Sequence, residues 1–311
     1  MLGSWLVKAL LERDEDVVVL RRRPRPHSAL VLEGAQERCT VVDGDLLDEA
    51  LLARAIAEHD VRSVFHLAAQ PLVARANAAP AETFEVNVRG TWLLLEACRA
   101  HDVAGVVVAS SDKVYGPIEQ HPYLEDAQLI AGFPYDVSKA AADLIARSYH
   151  TTYGLPVATT RFTNVYGGGD GHGSRLIPDA VAAALAGRDP VIRSDGSPRR
   201  DFLYVEDAVA GYVAIADGLT SGRNGVAGEA FNGGAGQTHT VREVVECVCR
   251  LVGGGVRPDV RGESTPGELR DQEVDASKLR EVTGWAPRIG LEEGLGQTIA
   301  WYREHPSNLA S

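Results

Sequence analysis

Apolar and polar positions follow two alternating periods through the first half of the chain. Short runs rich in β-branched and apolar residues occupy residues 17–20, 61–67, 106–109 and 156–161, continuous at 17–20 and 106–109. Helix-sized stretches at 4–12, 48–59, 81–100 and 135–153 lie between them. A strand that is apolar at every position is buried on both faces, so the pattern predicts an α/β fold, a Rossmann-like doubly wound parallel sheet covered by helices on each side. After Tyr166 the texture changes to glycine-rich loops, shorter elements and scattered arginines. There is no internal repeat and no long linker, so the second half is expected to pack directly on the first and close a cleft over it.

The opening residues depart from this scheme. A doubly wound dinucleotide fold begins with a strand, a glycine-rich turn and then the first helix. Here Met1-Leu2-Gly3-Ser4-Trp5-Leu6 reads as the tail of that turn running into the helix, with Gly3 as the last glycine of the set. The absent first strand belongs at the centre of the sheet, so two open ladder edges are expected there. About a dozen residues are expected to be missing at the N-terminus.

Composition narrows the function classes. The formal charge of −12 gives no general attraction to phosphate backbones and argues against nucleic-acid binding. Four cysteines, Cys39, Cys98, Cys247 and Cys249, are too few and too irregular for a disulfide framework or a shared metal site, which points to a reduced, cytoplasmic protein. The longest apolar runs are strand-sized, so no membrane span is expected, and the N-terminus carries no secretory signal.

Tyr135-Asp136-Val137-Ser138-Lys139 sets a phenol and an ammonium one helical turn apart on the same face. A nearby ammonium favours the phenolate and lowers a phenol pKa, which suits a base that deprotonates a substrate hydroxyl during hydride transfer. Such a pair alone occurs by chance on helix surfaces. Here Ser110-Ser111-Asp112-Lys113 stands at the C-terminal end of the 106–109 strand, the edge where open α/β sheets bind ligands.

Together these residues resemble the extended short-chain dehydrogenase/reductase superfamily in its NAD-dependent epimerase/dehydratase branch, from Gly3 to about Tyr302. Asp45-Leu46, following Val41-Val42, resembles the family's adenine-contacting pair, and His66-Leu67-Ala68-Ala69 the wall beside the nicotinamide ribose. Asn87-Val88-Arg89-Gly90-Thr91 resembles the helix motif that braces the site. The stretches 161–167 and 200–207 resemble the substrate-side signatures, and Asn232-Gly233 and Gly284-Trp285 the later ones. The resemblance implies that Ser111, Tyr135 and Lys139 form the oxidation triad. It implies a cofactor site of Gly3, Arg21, Asp45, Leu46, Ala68, Ala69, Tyr135 and Lys139, with no metal. Asn164, Arg175, Arg200 and Arg270 are then expected to hold a nucleoside diphosphate, a role for which arginine's bidentate geometry is suited in an otherwise acidic protein. Residues 1–165 become the NAD(P)-binding domain and 166–311 mainly the sugar-nucleotide domain, with segments around 201–217 returning to the first.

A 4-epimerase and a 4,6-dehydratase of this branch both begin by oxidising C4 of the sugar. Only the dehydratase must also remove the C5 proton and protonate the departing 6-hydroxyl, which needs extra acid–base groups. Asp112 and Lys113 are such groups, and the triplet Ser111-Asp112-Lys113 resembles the CDP-glucose dehydratases more than the dTDP-glucose group, whose triplet ends in glutamate. Asp112 is expected to be the acid; Lys113 is either the C5 base or a cation that orients Asp112. The alternative is a 4-epimerase, and a third reading is a cofactor-sensing or scaffold protein on the same fold. The cofactor, held tightly and regenerated each cycle, is NAD or NADP. The 17–20 strand leads into Arg21-Arg22-Arg23-Pro24-Arg25 rather than an acid, which leans toward NADP. The resemblance also implies a homodimer through the helices at 81–100 and 135–153.

Overall fold

The computed structural model describes residues 1–117, 121–263 and 270–309. Its strands in chain order are β1 (Val18–Arg21), β2 (Thr40–Asp43), β3 (Ser63–His66), β4 (Gly105–Ala109), β5 (Val157–Phe162), β6 (Asn164–Tyr166), β7 (Val191–Ile192), β8 (Arg199–Tyr204), β9 (Ala230–Gly233), β10 (Thr238–Thr240), β11 (Asp259–Val260) and β12 (Asp271–Gln272). The expected α/β architecture is present: β3, β4, β5 and β9 form a parallel sheet in the order β3-β4-β5-β9, with helices against it. β4 and β5 are buried along almost their whole length, β4 as a continuous apolar run and β5 with Thr159, Thr160 and Arg161 buried among its apolar residues.

β1 and β2 form a separate parallel pair, Val19 opposite Val41. Among the described residues no ladder joins β1 to β3, so the sheet is in two pieces where open edges were expected. β1 is only half-buried, in keeping with a strand that lacks a neighbour on one side. The Leu2–Glu12 helix packs Leu6, Val7 and Leu11 inward.

Local chemistry sets the helix ends. Asp48 caps the Glu49–Glu58 helix by accepting from the Leu51 amide at 3.0 Å. Pro134 opens the Pro134–Tyr153 helix, and Gly154, at φ 71°, closes it in the left-handed region. The stretch expected as one helix at 81–100 is interrupted. It runs as Pro80–Phe84, one π turn at Glu85–Arg89, and then Gly90–Ala100. Gly90 has no room for a Cβ because the Leu46 side chain occupies that space.

The second half contributes both to its own sheet, β10-β8-β12 with β6 on β8, and to the first sheet through β9. Between β8 and β9 the Val205–Thr220 helix buries most of its apolar residues. It packs on β4, β5 and the Leu2–Glu12 helix. The main core runs through both halves, joining Leu6, Val107, Phe162, Leu203 and Trp285.

Candidate active site

The C-terminal edge of the parallel sheet carries the reactive groups. β4 ends at Ala109 and the chain passes through Ser111 into a short 3-10 turn, Asp112–Tyr115, capped by Ser111. The first turn of the Pro134–Tyr153 helix brings Tyr135 alongside Ser111, whose side chain favours the phenolate. Lys139 is buried and donates from Nζ to the Ala109 carbonyl oxygen at 2.8 Å. Burial brings its ammonium down to about 8.

This corrects one expectation. The Lys139 ammonium bonds the end of β4, and the Tyr135 phenol is not lowered. Burial pushes it up to about 12, against the Ser111 hydrogen bond that favours the phenolate.

A polar lattice behind the triad fixes its elements. Asn87, on the π turn, accepts from the Gln70 amide at 2.7 Å and donates from Nδ2 to the Gln70 carbonyl at 3.1 Å and to Ser138 Oγ at 2.9 Å. Ser138 Oγ donates in turn to the Tyr135 carbonyl at 2.7 Å. One side chain therefore ties the segment after β3 to the helix that carries Tyr135. Single π turns recur at functional sites. Thr91 Oγ1 donates to the Asn87 carbonyl at 2.7 Å, so its lone pair receives His66 Nε2–H at 2.8 Å. Burial, assisted by the Lys139 charge, lowers His66 to about 3 and keeps it neutral.

Asp112 is buried. Ser111 Oγ donates to its Oδ1 at 3.1 Å and Gln272 Nε2 to its Oδ2 at 3.4 Å. Burial raises its pKa; the charges of Lys113 and Arg200 and the Ser111 hydrogen bond oppose that without reversing it. Its protonated form therefore persists to higher pH than in an ordinary aspartate. Lys113 lies half-buried on the same turn and donates its backbone amide to Ser111 Oγ at 3.3 Å.

The residues expected to hold the diphosphate separate into two groups. Arg200 Nη1 donates to the Arg270 carbonyl at 2.9 Å, across the pairing of β8 with β12, and its charge bears on Asp112. Asn164 donates to the Asp201 carbonyl at 3.2 Å. Arg175 instead pairs with Asp170 at 2.8 Å, and its charge bears on the Tyr135 phenol. On the cofactor side, Arg21 forms a bidentate pair with Asp43 at 2.8 and 3.0 Å and also donates to Gln36. Asp45 accepts from the Leu47 amide at 3.0 Å, beside buried Leu46. Ala68 is exposed and Ala69 half-buried just after β3. Gly3 lies against Leu67, whose Cδ1 is 3.8 Å from where a Cβ would stand. Asp45 after β2, small Ala68-Ala69 after β3 and Lys139 beside the end of β4 fit an extended dinucleotide lying along this edge, with Gly3 as the one glycine at the helix start.

Sequence reasoning missed a buried hub beneath the site. Arg161 on β5 forms a bidentate pair with Asp143, both bonds at 2.9 Å, and both side chains are essentially inaccessible. Arg161 also donates to Tyr115 at 3.1 Å and to the Glu125 carbonyl at 2.9 Å, and Tyr115 donates to Asn232 at 2.6 Å. One signal pointed there: Asp143 lies one turn after Lys139, a second charge on the buried helix face. Gln272 was missed as well, and nothing in its sequence neighbourhood marks it.

The described residues hold no cluster of metal-ligating side chains, and no helix among them is long and apolar enough to cross a membrane. The cysteines are all free.

Residues 1–234 match the model of the NAD-dependent epimerase/dehydratase family. The dTDP-glucose 4,6-dehydratase of Streptomyces griseus is 35% identical over 313 residues, covering 98% of this chain and 92% of that protein. A UDP-glucose 4-epimerase of Halalkalibacterium halodurans is 32% identical over 322 residues, covering 98% and 93%. Among solved structures, a double mutant of the Streptomyces venezuelae dTDP-glucose 4,6-dehydratase with NAD bound superposes with a TM-score of 0.87 at 32% identity, covering 98% of this chain and 95% of that one.

Proposed function

Since the chain belongs to the NAD-dependent epimerase/dehydratase family, we propose that it is a sugar-nucleotide 4,6-dehydratase, converting a nucleoside-diphosphate hexose to its 4-keto-6-deoxy product. The observation that carries this reading is Asp112. It is a buried carboxyl whose pKa burial raises, next to Ser111 and close to Tyr135. An epimerase has no use for an acid at that place, because it breaks no C–O bond.

When bound, the nicotinamide cofactor takes up and returns a hydride. The chain's own groups do the rest. Tyr135 in its phenolate form accepts the proton of the 4-hydroxyl, and Ser111, whose hydroxyl favours that form, bonds the same sugar oxygen. Lys139, tied to Ala109, holds the helix turn in place. Asp112 gives its proton to the departing 6-hydroxyl, and Lys113 is the candidate base for C5. Arg200 and Arg270, with Asn164 and Arg175, hold the diphosphate.

The family is NAD-dependent, and NAD is the cofactor in the solved S. venezuelae dehydratase. The lean toward NADP rests on the arginines at 21–23 and 25, and in the structure the first of them, Arg21, already has a carboxylate partner in Asp43. The relatives' names put dTDP-glucose first among substrates, while Lys113 departs from the glutamate of that group, so CDP-glucose belongs beside it in any test. Residues 1–165 are read as the cofactor-binding domain and 166–311 as mainly the substrate domain, with the helix following β8 returning to the first. Exposed Phe84 and Trp92 on one helix run and Val137 and Leu144 on the other support a two-fold homodimer with a four-helix interface, which sedimentation checks. The free cysteines suit a reduced, cytoplasmic setting.

Incubation with CDP-, dTDP-, UDP- and GDP-hexoses in the presence of NAD tests the function. A 4-keto-6-deoxy product from one of them is expected. An epimer retaining its 6-hydroxyl establishes the second reading, which the relationship to UDP-glucose 4-epimerases favours.

A further inference from the structure

The two oxygens of Asp112 are held from two different parts of the chain. Ser111 donates to Oδ1 from the same turn, and Gln272 donates to Oδ2 from β12, 160 residues along the sequence. Both Gln272 and Asp112 are buried, at 1% and 5% exposure. A buried amide beside a buried carboxyl is a matched pair: Gln272 gives Asp112 Oδ2 a donor, as Ser111 gives one to Oδ1. β12 is also the strand whose residues pair with Arg199 and Arg200, and it follows directly on Arg270. The element that sets Gln272 on the acid is therefore the one that lies against the candidate diphosphate clamp.

We infer that Gln272 is a positioning residue for the acid of the elimination: its side-chain amide orients the Asp112 carboxyl and holds the carboxylate formed when the proton leaves. The inference rests on the dehydratase reading above. In that elimination the C5 proton passes to a base, and the C5–H electron pair becomes the C5–C6 double bond. The C6–O bond breaks with its electrons on oxygen, which takes the Asp112 proton and departs as water. Asp112 is left as a carboxylate at the moment when a donor on Oδ2 is most useful.

Gln272 suits this task because it is neutral. The charged and titratable groups around Asp112 are Lys113 on its own turn, Tyr135 and Asp136 from the helix, Tyr123, and Arg200 and Asp201 on β8. A further cation in place of Gln272 would hold the carboxyl ionised and remove the proton it must give. A primary amide can donate to the carboxylate and, turned over, accept from the acid, so it aligns both states.

The test uses the cofactor-loaded enzyme with Gln272→Met, and with Gln272→Glu as a near-isosteric second variant in case the first folds poorly. Turnover to the 4-keto-6-deoxy product should fall about tenfold with KM nearly unchanged. Reduced nicotinamide should accumulate after mixing with substrate, because oxidation at C4 continues while elimination lags. The alkaline limb of kcat should move to higher pH, since a carboxylate without its donor binds its proton more tightly. Carbon-13 NMR of the Asp112 carboxyl should show the same upward move without turnover. A limb and titration that stay in place in both variants, or oxidation and elimination slowed in equal proportion, overturn the inference and leave the dehydratase reading standing. A wild-type enzyme that yields only an epimer overturns both.

Discussion

Lys139 Nζ donates to the carbonyl oxygen of Ala109 at 2.8 Å, joining the helix that bears Tyr135 to the last residue of β4. The charge is thereby fixed at the sheet edge, where the strand leads into Ser111 and Asp112. Lys139→Met keeps the stem and loses the ammonium. Its rate of C4 oxidation should fall by a factor of about a hundred or more. A single-turnover measurement of nicotinamide reduction checks this, and a loss smaller than about threefold would show the ammonium to be dispensable.

In the cofactor-free protein Tyr135 should titrate near 12, because burial outweighs the Ser111 hydrogen bond. The ultraviolet difference titration between wild type and Tyr135→Phe isolates this one phenol. An apparent value at or below the ordinary tyrosine range of about 10 would mean that the lysine one turn away does reach it.

The Arg161–Asp143 pair is buried at both ends, with each side chain no more than 1% exposed. Removing one partner strands a charge in the interior, so Asp143→Ala or Arg161→Met should each cost about 3–5 kcal/mol in urea unfolding. The double variant should be less destabilised than the sum of the two, since neither charge is then left alone. Additive losses would show that the two residues do not act as a pair.

His66 is neutral in the folded chain because burial lowers its pKa to about 3. The unfolded chain takes up this proton near the ordinary histidine value, so the contribution is whole above about pH 6.5 and is lost as pH falls toward the folded value. The stability difference between wild type and His66→Asn should shrink by about 1.4 kcal/mol per pH unit between about pH 6 and 4.5. A difference independent of pH would contradict a buried neutral imidazole.

The parts of the fold that could be read from sequence are those where one physical requirement dominates. β4 is buried almost throughout and is apolar at every side chain, so Val106–Val107–Val108 announced itself, whereas the equally buried β5 carries Thr159, Thr160 and Arg161. A π turn leaves no mark in residue periodicity, so the 81–100 stretch reads as one continuous helix, although the turn carries Asn87, which bonds Gln70 and Ser138. β7, β11 and β12 are two residues long, too short for any period to show. Within the site, Ser111, Asp112, Tyr135 and Lys139 were legible from spacing, and the structure gathers them at one sheet edge. What spacing could not supply was long-range partnership. Gln272 meets Asp112 only through the pairing of β12 with β8, and Lys139 spends its ammonium on a backbone carbonyl that no motif names.

The central claim is that hydrogen leaving C4 of the sugar returns at C6, with Asp112 supplying the proton that makes C6 available. The most direct measurement is turnover of the accepted sugar nucleotide carrying deuterium at C4, with the product analysed by NMR. The label should appear in the C6 methyl group, and Asp112→Asn should abolish its arrival there while nicotinamide reduction persists. Deuterium found back at C4 of a product that keeps its 6-hydroxyl would contradict the account.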